Sequence, residues 1–407
     1  MGDGNHPLQV GKDYANNRWS IKGILGSGTF GHIYAVRDNV NHTDRAMKVM
    51  SHGNVNLRNG IAAETAAFKR INEKRGNRRV SAPLITSEEA FEMMTSNGAR
   101  HTVFIMNEYG PSVFDVLSIN RGVPFPPEHT VEIAKQMLEA IQYLHGVCFI
   151  AHLDVKPENV LFESNEFITV NVNSPEYGNV KVRRMASSRI RLIDFNSSCT
   201  DCSDAMEGEA VTMHYRAPEL VLNLPFSKSV DVFAVGAMLF ELWVGCSIFE
   251  LPGWEECSYA QFLVLGVPPQ AMLKLAHERC ARPENGPHVP RLVVKGTLTD
   301  EEGEEFYQLR WPTLDQMERE NGSNGTFPLR HYFQPLSDDY NHRVYKTVES
   351  LMSIDPSRRP SASQSLHLPL FNAAPTAPNS RPRSDGWPIA PIHISAPVKK
   401  GRKRKAA

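Results

Sequence analysis

Cysteine is scarce. Six cysteines are scattered through 407 residues, too sparse for the disulfide framework of a small secreted scaffold. Cys199 and Cys202 form a lone C-x-x-C with no second pair at zinc-finger spacing, so no metal site is expected there. An excess of either charge is also missing. Lys and Arg number 44, Asp and Glu 45, and the net charge of −1 selects no charged partner for the whole molecule. Long apolar runs are lacking too. Residues 230–245 come nearest, but Asp231 and Glu241 interrupt them and they are too short to span a bilayer. The polar N-terminus has no signal-peptide apolar stretch, and His6 stands where a myristoylation signal needs Ser or Thr. These absences predict a reducing cytoplasmic or nuclear setting and no membrane partner. What is present, 41% hydrophobic and 22% charged residues, suits a soluble globular chain, and the length suits two lobes rather than one small core.

The chemistry concentrates in residues 151–162, AHLDVKPENVLF. His152, Asp154, Lys156 and Asn159 stand in the pattern H-x-D-x-K-x-x-x-N. Asp154 can orient a substrate hydroxyl or take its proton, Lys156 can neutralise charge on a transferring phosphoryl group, and Asn159 can turn back to hold a divalent cation. One such loop alone could be a polar surface turn, so the rest of the chain decides. Gly26-Ser27-Gly28-Thr29-Phe30-Gly31 lies between residues 19–25 and 32–36, two stretches that read as strands. A dinucleotide-binding loop of the same spelling would open a helix. The strand–loop–strand context makes a flexible flap instead, whose small residues admit backbone amides to phosphates. Lys48 follows on the strand Arg45-Ala46-Met47-Lys48-Val49.

Residues 60–74 have helical character in Ile61, Ala62, Phe68 and Ile71, and Glu64 is placed to pair with Lys48; the plainer reading is a solvated helix Glu. Residues 103–106 read as an apolar strand ending in Asn107-Glu108-Tyr109-Gly110, and residues 130–145 as an amphipathic helix leading to the polar loop. Period-2 alternation in residues 167–170 and 180–182 predicts an extra hairpin. Asp194-Phe195-Asn196 then offers a second cation ligand in Asp194. Ala217-Pro218-Glu219 follows, Asp231 is placed to brace the polar loop, and Arg359 to pair with Glu219.

In this order and combination the motifs resemble those of a eukaryotic protein kinase over residues 14–372, and His214-Tyr215-Arg216 before Ala217 is similar to the CMGC group. Within that group the chain most resembles the LAMMER, or CDC-like, dual-specificity kinases. Three features carry this: no Arg between His152 and Asp154, the hairpin before Asp194, and Pro328-Leu329-Arg330-His331-Tyr332-Phe333 closing a late insert. The resemblance implies an α+β, two-lobed fold. A β-rich N-lobe would occupy residues 14–108, and a mainly helical C-lobe residues 109–372, with the insert at about 275–330. It implies ATP and Mg2+ in the cleft. Asp154, Lys156, Lys48 and Glu64 would be catalytic, and Asn159 and Asp194 would hold the metal. Gly26, Ser27, Gly28, Thr29, Phe30, Gly31, Ile33, Ala46 and Lys48 would contact the nucleotide. Met106, Glu108 and Tyr109 would form the hinge that reads adenine, with a one-residue register between Met106 and Asn107 left open. It further implies phosphorylation of Ser/Thr, and of Tyr if specificity is dual, on Arg/Ser-rich splicing factors by a monomer.

Departures accompany the match. The LAMMER signature falls on residues 256–263 and keeps only Glu256. Asn196 replaces the Gly of D-F-G; Asn best replaces Gly where φ is positive, so Asp194 is expected to keep its reach. Leu153 cannot pair with an activation-loop phosphate, so an active state without that phosphate is expected. The rival reading is a kinase-like binding scaffold without turnover, supported by Asn196 and opposed by intact Lys48, Asp154, Asn159 and Asp194.

Charged surface features complete the reading. Asp201, Asp204, Glu207, Glu209 and Glu158 could draw Arg-rich peptides. Lys69, Arg70, Lys74, Arg75, Arg78 and Arg79 lack interleaved aromatics, so they read as solvated helix ends rather than a nucleic-acid site. Residues 275–327 read as irregular, with a turn at 321–325. Residues 1–13 read as a loose N-terminus, and residues 373–407 as a disordered Pro-rich tail. The tail ends in Lys399-Lys400-Gly401-Arg402-Lys403-Arg404-Lys405, a basic cluster expected to direct nuclear import, with some protein remaining in the cytoplasm.

Overall fold

A computed structural model describes residues 7–75, 82–95, 98–174, 178–200, 212–249, 254–280, 292–299, 305–309, 328–334 and 336–372. Six antiparallel strands form the N-lobe sheet: β1 (Asp13–Tyr14), β2 (Trp19–Gly28), β3 (Gly31–Asp38), β4 (Thr43–Ser51), β5 (Ser87–Met94) and β6 (Arg100–Met106), in the order β1-β2-β3-β4-β6-β5. Successive side chains of a strand point to opposite faces. Met47, Val49, Val103 and Ile105 therefore join Trp19, Ile21, Tyr34 and Val36 in a closed core. Met50, Phe104 and Met106 face the other way, toward helix α1 (Val55–Arg75). Lys48 shares their face, which directs its ammonium between sheet and helix.

The C-lobe is mainly helical. It contains α2 (Val113–Ile119), α3 (Pro127–Tyr143), α4 (Pro218–Val221), α5 (Ser229–Val244), α6 (Trp254–Leu265), α7 (Gln270–Cys280) and α8 (Asp339–Leu351). Ile133, Met137 and Ile141 recur on one face of α3 and are buried. α5 is apolar all round, as a central helix must be, and is buried from Val230 to Leu242. Gly236 permits its close approach to the end of α8, because an added Cβ would lie 2.8 Å from Leu351 Cβ and 2.7 Å from Met352 Cγ. No described helix is long and apolar enough to cross a membrane.

Strands β7 (Val160–Phe162) and β10 (Ile190–Leu192) pair antiparallel with Val160 opposite Leu192. Between them stands the expected hairpin, β8 (Phe167–Ser174) and β9 (Gly178–Met185). The Asn120 carboxamide clips it to the end of α2, donating to the Arg183 carbonyl at 2.7 Å and accepting from the Arg183 N–H at 2.8 Å.

The late insert corrects an expectation. Where described it is ordered, not irregular: β11 (Val293–Thr299) pairs with β12 (Glu305–Leu309). Val293, Tyr307 and Leu309 bury against Leu273 and Ala276 of α7 and Phe262 of α6. Each segment is too short to announce this core by periodicity, since the core exists only between them. Residues 321–325 lie outside the described residues, as do residues 1–6 and the tail 373–407, whereas residues 7–13, expected to be loose, are held to the N-lobe by buried Leu8 and by the backbone bonds of Gly11 and Lys12 to Ile21.

Candidate active site

Lys48 is the junction of the two lobes. Its ammonium donates to both Glu64 oxygens, at 2.8 and 2.7 Å, and to Asp194 Oδ1 at 3.1 Å. Burial alone would lower the Lys48 pKa, but the carboxylates of Glu64 and Asp194 reverse that and hold it above its usual value. Burial also lifts the Glu64 carboxyl against the pull of Lys48. The Lys48 ammonium and the Glu64 carboxylate form a buried bidentate contact. Asp194 lies below its ordinary value: burial opposes ionisation, and Lys48 outweighs it. Phe195, fully buried, packs edge-on against Phe68 of α1 and beside the His152 ring. Phe68 in turn meets Phe104 of the sheet. This aromatic column ties α1, and with it Glu64, to the polar loop.

The polar loop is shaped by buried partners. A π-turn, Leu144–Cys148, ends the run from α3, and Phe149 reverses the chain at φ 56°. Asp231, 1% exposed at the start of α5, accepts the backbone N–H groups of His152 and Leu153, each at 2.8 Å, and His145 Nε2 at 2.8 Å. Burial would raise this carboxyl, but those bonds outweigh it and hold it below its usual range. They also fix Leu153 at φ 67°, a conformation a branched side chain resists. His152 accepts the Asp154 N–H at Nδ1 and donates from Nε2 to the Ile193 carbonyl at 3.0 Å, which assigns its tautomer.

Asp154 therefore emerges oriented. Asn159 Nδ2 donates to its carbonyl at 2.8 Å and its carboxylate at 2.9 Å, and Lys156 lies 2.9 Å from the same carboxylate oxygen. The Thr212 hydroxyl donates to Asp154 Oδ1 at 2.8 Å and accepts from Lys156 at 2.8 Å. Thr212 was not visible as a site residue from the sequence. The only signal was its position shortly before Ala217-Pro218-Glu219, where a side chain could bear on the substrate strand.

The register of β7 with β10 sets Asn159 against Ile193, the residue before Asp194, whose N–H donates to the Asn159 carbonyl at 2.9 Å. Because both amide protons of Asn159 go to Asp154, its Oδ1 is the atom available to a cation. That oxygen and the Asp194 carboxylate are hard donors suited to Mg2+ or a similar divalent ion that takes its remaining ligands from phosphates and water. Among the described residues no cluster of three or more His, Cys, Asp or Glu could hold a metal unaided. Of the lone C-x-x-C, Cys199 is half-buried and Cys202 lies outside the described residues.

A cleft of about 680 Å3 opens between the lobes. It is lined by Gly26, Ser27, Gly28, Thr29, Phe30 and Gly31 of the flap, by Ile33, Ala46 and Lys48, by Met106, Glu108 and Tyr109, and by Glu64 and Asp194. The structure thus gathers the sequence-derived nucleotide residues around one cavity. Added Cβ atoms at Gly26 and Gly28 would meet nothing within 4 Å, whereas one at Gly31 would fall 2.3 Å from the Val49 carbonyl. Both Met106 and Asn107 line the cleft, Met106 buried against the sheet and Asn107 exposed. Leu25, Ile85, Leu161 and Ile193 add apolar walls that sequence reasoning did not single out. Apolar walls with the Lys48 ammonium and the Asp194 carboxylate at one end fit a purine carrying a metal-bound polyphosphate.

Two expectations are revised. Positive φ falls on Asp194, at 68°, and not on Asn196, so the replacement of Gly is not a matter of backbone handedness. Of the basic cluster, Arg70 donates to the Cys148 carbonyl and lies over the Phe149 ring, and Arg75 donates to Thr86. These two arginines tie α1 into the fold rather than standing as solvated helix ends. Arg78, Arg79, Asp201, Asp204, Glu207 and Glu209 lie outside the described residues.

Residues 19–371 match the family model for the protein kinase domain, and the chain belongs to that family. It is 26% identical over 369 residues to the dual specificity protein kinase CLK2 of Mus musculus, covering 90% of this chain and 66% of the relative. It is 32% identical over 272 residues to the probable dual specificity protein kinase madd-3 of Caenorhabditis elegans, covering 66% of this chain and 29% of the relative. With the serine/threonine-protein kinase AFC2 of Arabidopsis thaliana the identity is 27%, over 91% of this chain and 80% of the relative. The chain therefore spans just under two thirds of CLK2 and under a third of madd-3. A crystal structure of a kinase domain superposes with a TM-score of 0.70 at 23% identity, covering 89% of this chain and 98% of that one, which establishes the shared two-lobed fold. The resemblance read from the motifs is borne out at the level of the kinase family and its CDC-like relatives.

Proposed function

We propose that this chain transfers the γ-phosphoryl group of ATP to Ser or Thr hydroxyls of proteins. The observation that carries the reading is the simultaneous assembly of the two charge networks. Lys48 joins Glu64 to Asp194, and Asp154 is held by Asn159, Lys156 and Thr212. A scaffold without turnover has no need of both. In the reaction the substrate hydroxyl oxygen attacks the γ-phosphorus, the bond to the β,γ-bridging oxygen breaks, and the hydroxyl proton passes to Asp154. Lys156 and Lys48 offset charge on the phosphates. A divalent cation, Mg2+ in our proposal, would be held by Asp194 and Asn159 and would neutralise the phosphate oxygens as ADP leaves. The backbone of residues 106–109 reads the adenine edge.

Substrates with Arg beside the acceptor Ser, as in Arg/Ser-rich splicing factors, fit the exposed Glu158 at the cleft. The basic segment 399–405 directs the protein to the nucleus, and the chain acts as a monomer. Leu153, buried and bonded to Asp231, takes no part in phosphate recognition, so activity persists after phosphatase treatment.

The test is phosphotransfer by the purified full chain with ATP and Mg2+ to matched peptides carrying Arg, Ala or Glu beside the Ser, at low and high salt, against an Asp154→Asn control. Transfer above the control, with the Arg peptide preferred most at low salt, supports the reading. ATP binding without transfer above the control establishes the scaffold instead. Equal kcat/KM for the Arg and Ala peptides removes the Arg-directed part. A fluorescent fusion lacking residues 399–405 should leave the nucleus, and an unchanged distribution removes the import reading.

A further inference from the structure

Asn196 sits where three walls of the cleft meet. Its side chain is only 7% exposed. Oδ1 accepts from the Lys48 ammonium at 3.4 Å, and the Asn196 N–H donates to Asp194 Oδ1 at 3.4 Å. Lys48 can only donate, so the opposite amide orientation would set donor against donor; Oδ1 must face Lys48, and Nδ2 must point away. Nδ2 is buried and has no hydrogen-bond partner. A buried donor left unmatched in an otherwise satisfied polar cluster indicates an acceptor that arrives with a ligand. The flap lies next to it. Gly60 of α1 leaves room for the Phe30 ring, and a Cβ added at Gly60 would lie 2.7 Å from that ring and 3.7 Å from Asn196 Cβ. Asn196 lines the cleft together with Phe30, Lys48 and Asp194.

We propose that Asn196 is a phosphate-binding residue: Nδ2 donates to a non-bridging oxygen of the nucleotide's β- or γ-phosphate while Oδ1 steadies Lys48. A glycine at this position supplies neither contact. Phosphate is the ligand chemistry that fits, because the neighbouring cation and the flap amides require an anionic acceptor at the same end of the cleft. The inference rests on the reading of the cleft as a nucleotide site.

The experiment measures Kd by calorimetry for adenosine and for a non-hydrolysable ATP analogue with Mg2+. It uses the full chain and its Asn196→Ala, Asn196→Gly and Asn196→Asp variants, with thermal unfolding to verify that each is folded. Adenosine should bind all four alike. The ATP analogue should bind the Ala and Gly variants about tenfold more weakly, the loss expected for one hydrogen bond to a charged acceptor. Asn196→Asp keeps an acceptor for Lys48 but replaces the donor with a negative charge, so it should weaken the analogue at least as much. Wild-type affinity for the analogue in the Ala and Gly variants overturns the inference. Wild-type affinity in the Asp variant alone overturns the Nδ2 contact, since only the Lys48 contact would then matter. Equal loss for adenosine and the analogue assigns Asn196 a structural role and also overturns it. A wild-type chain that binds neither ligand refutes the nucleotide reading itself, and this inference with it.

Discussion

Single residues set the chemistry through what holds them. Asp154 is held by Asn159, Lys156 and Thr212 and is not among the residues that line the cleft. Asp154→Asn should therefore lower kcat by about 10²–10⁴-fold, the usual share of a positioned acid or base, and leave the Kd for ATP unchanged. Steady-state kinetics beside equilibrium titration check this split. Asp231 acts one layer beneath. Its folded pKa lies below the unfolded value of about 3.9, so its stabilisation is complete above that pH and is lost as pH falls through the folded pKa. Asp231→Asn should be less stable than wild type by on the order of 2–4 kcal/mol near neutral pH. The gap should narrow in acid, and urea unfolding at a series of pH values measures it. A gap that stays constant down to low pH would show that the carboxylate charge is not what holds His152 and Leu153.

At the scale of elements, two joints decide whether the parts meet. The flap depends on β3 lying close to β4, and Gly31 is the residue that permits it. Gly31→Ala must push β3 away from the Val49 carbonyl. The expected result is an ATP KM raised about tenfold or more, in line with the 1–3 kcal/mol cost typical of overpacking, with melting temperature reduced. The second joint is Arg359, whose guanidinium bonds both Glu219 oxygens, at 2.7 and 3.0 Å, with both side chains almost wholly buried. Arg359 also donates to the Ser229 and Ser353 carbonyls, so one side chain ties α4 to α5 and to the end of α8. Arg359→Leu leaves a buried carboxylate unpaired and should cost about 3–5 kcal/mol by chemical denaturation. A loss below 1 kcal/mol would mean that the pair contributes no more than a surface ion pair. The β8–β9 hairpin was legible because alternation is local. The insert core was not, because Tyr307 and Leu273 acquire their meaning only against each other.

For the whole molecule, Lys48 bonds carboxylates from both lobes, Glu64 on α1 and Asp194 beyond β10. A ligand engaging this junction should stabilise the native state as a unit. ATP with Mg2+ at a hundred times its Kd should raise the unfolding free energy by about 2.7 kcal/mol. Chelating the metal should remove most of that gain, and Lys48→Met should abolish it. Thermal unfolding with and without nucleotide and chelator reads all three arms, and an undiminished gain in Lys48→Met would exclude Lys48 from nucleotide binding. The sequence by itself determined the parts: the glycine-rich flap between two strands, the alternation that turns Lys48 away from Met47 and Val49, the spacing of His152, Asp154, Lys156 and Asn159, and the kinase family these define. Those signals are local, because backbone geometry and side-chain period act within a few residues. Only the tertiary structure decided which groups share a charge. It set Thr212 on Asp154, placed Asn159 against Ile193, the residue before Asp194, through the β7–β10 register, gave the left-handed conformation to Asp194 rather than Asn196, and left Asn196 Nδ2 buried without a hydrogen-bond partner at the lining of the cleft. Hydrogen bonds and ion pairs have force only over a few ångströms, and that proximity is created by packing between distant segments, which no local stretch of sequence contains.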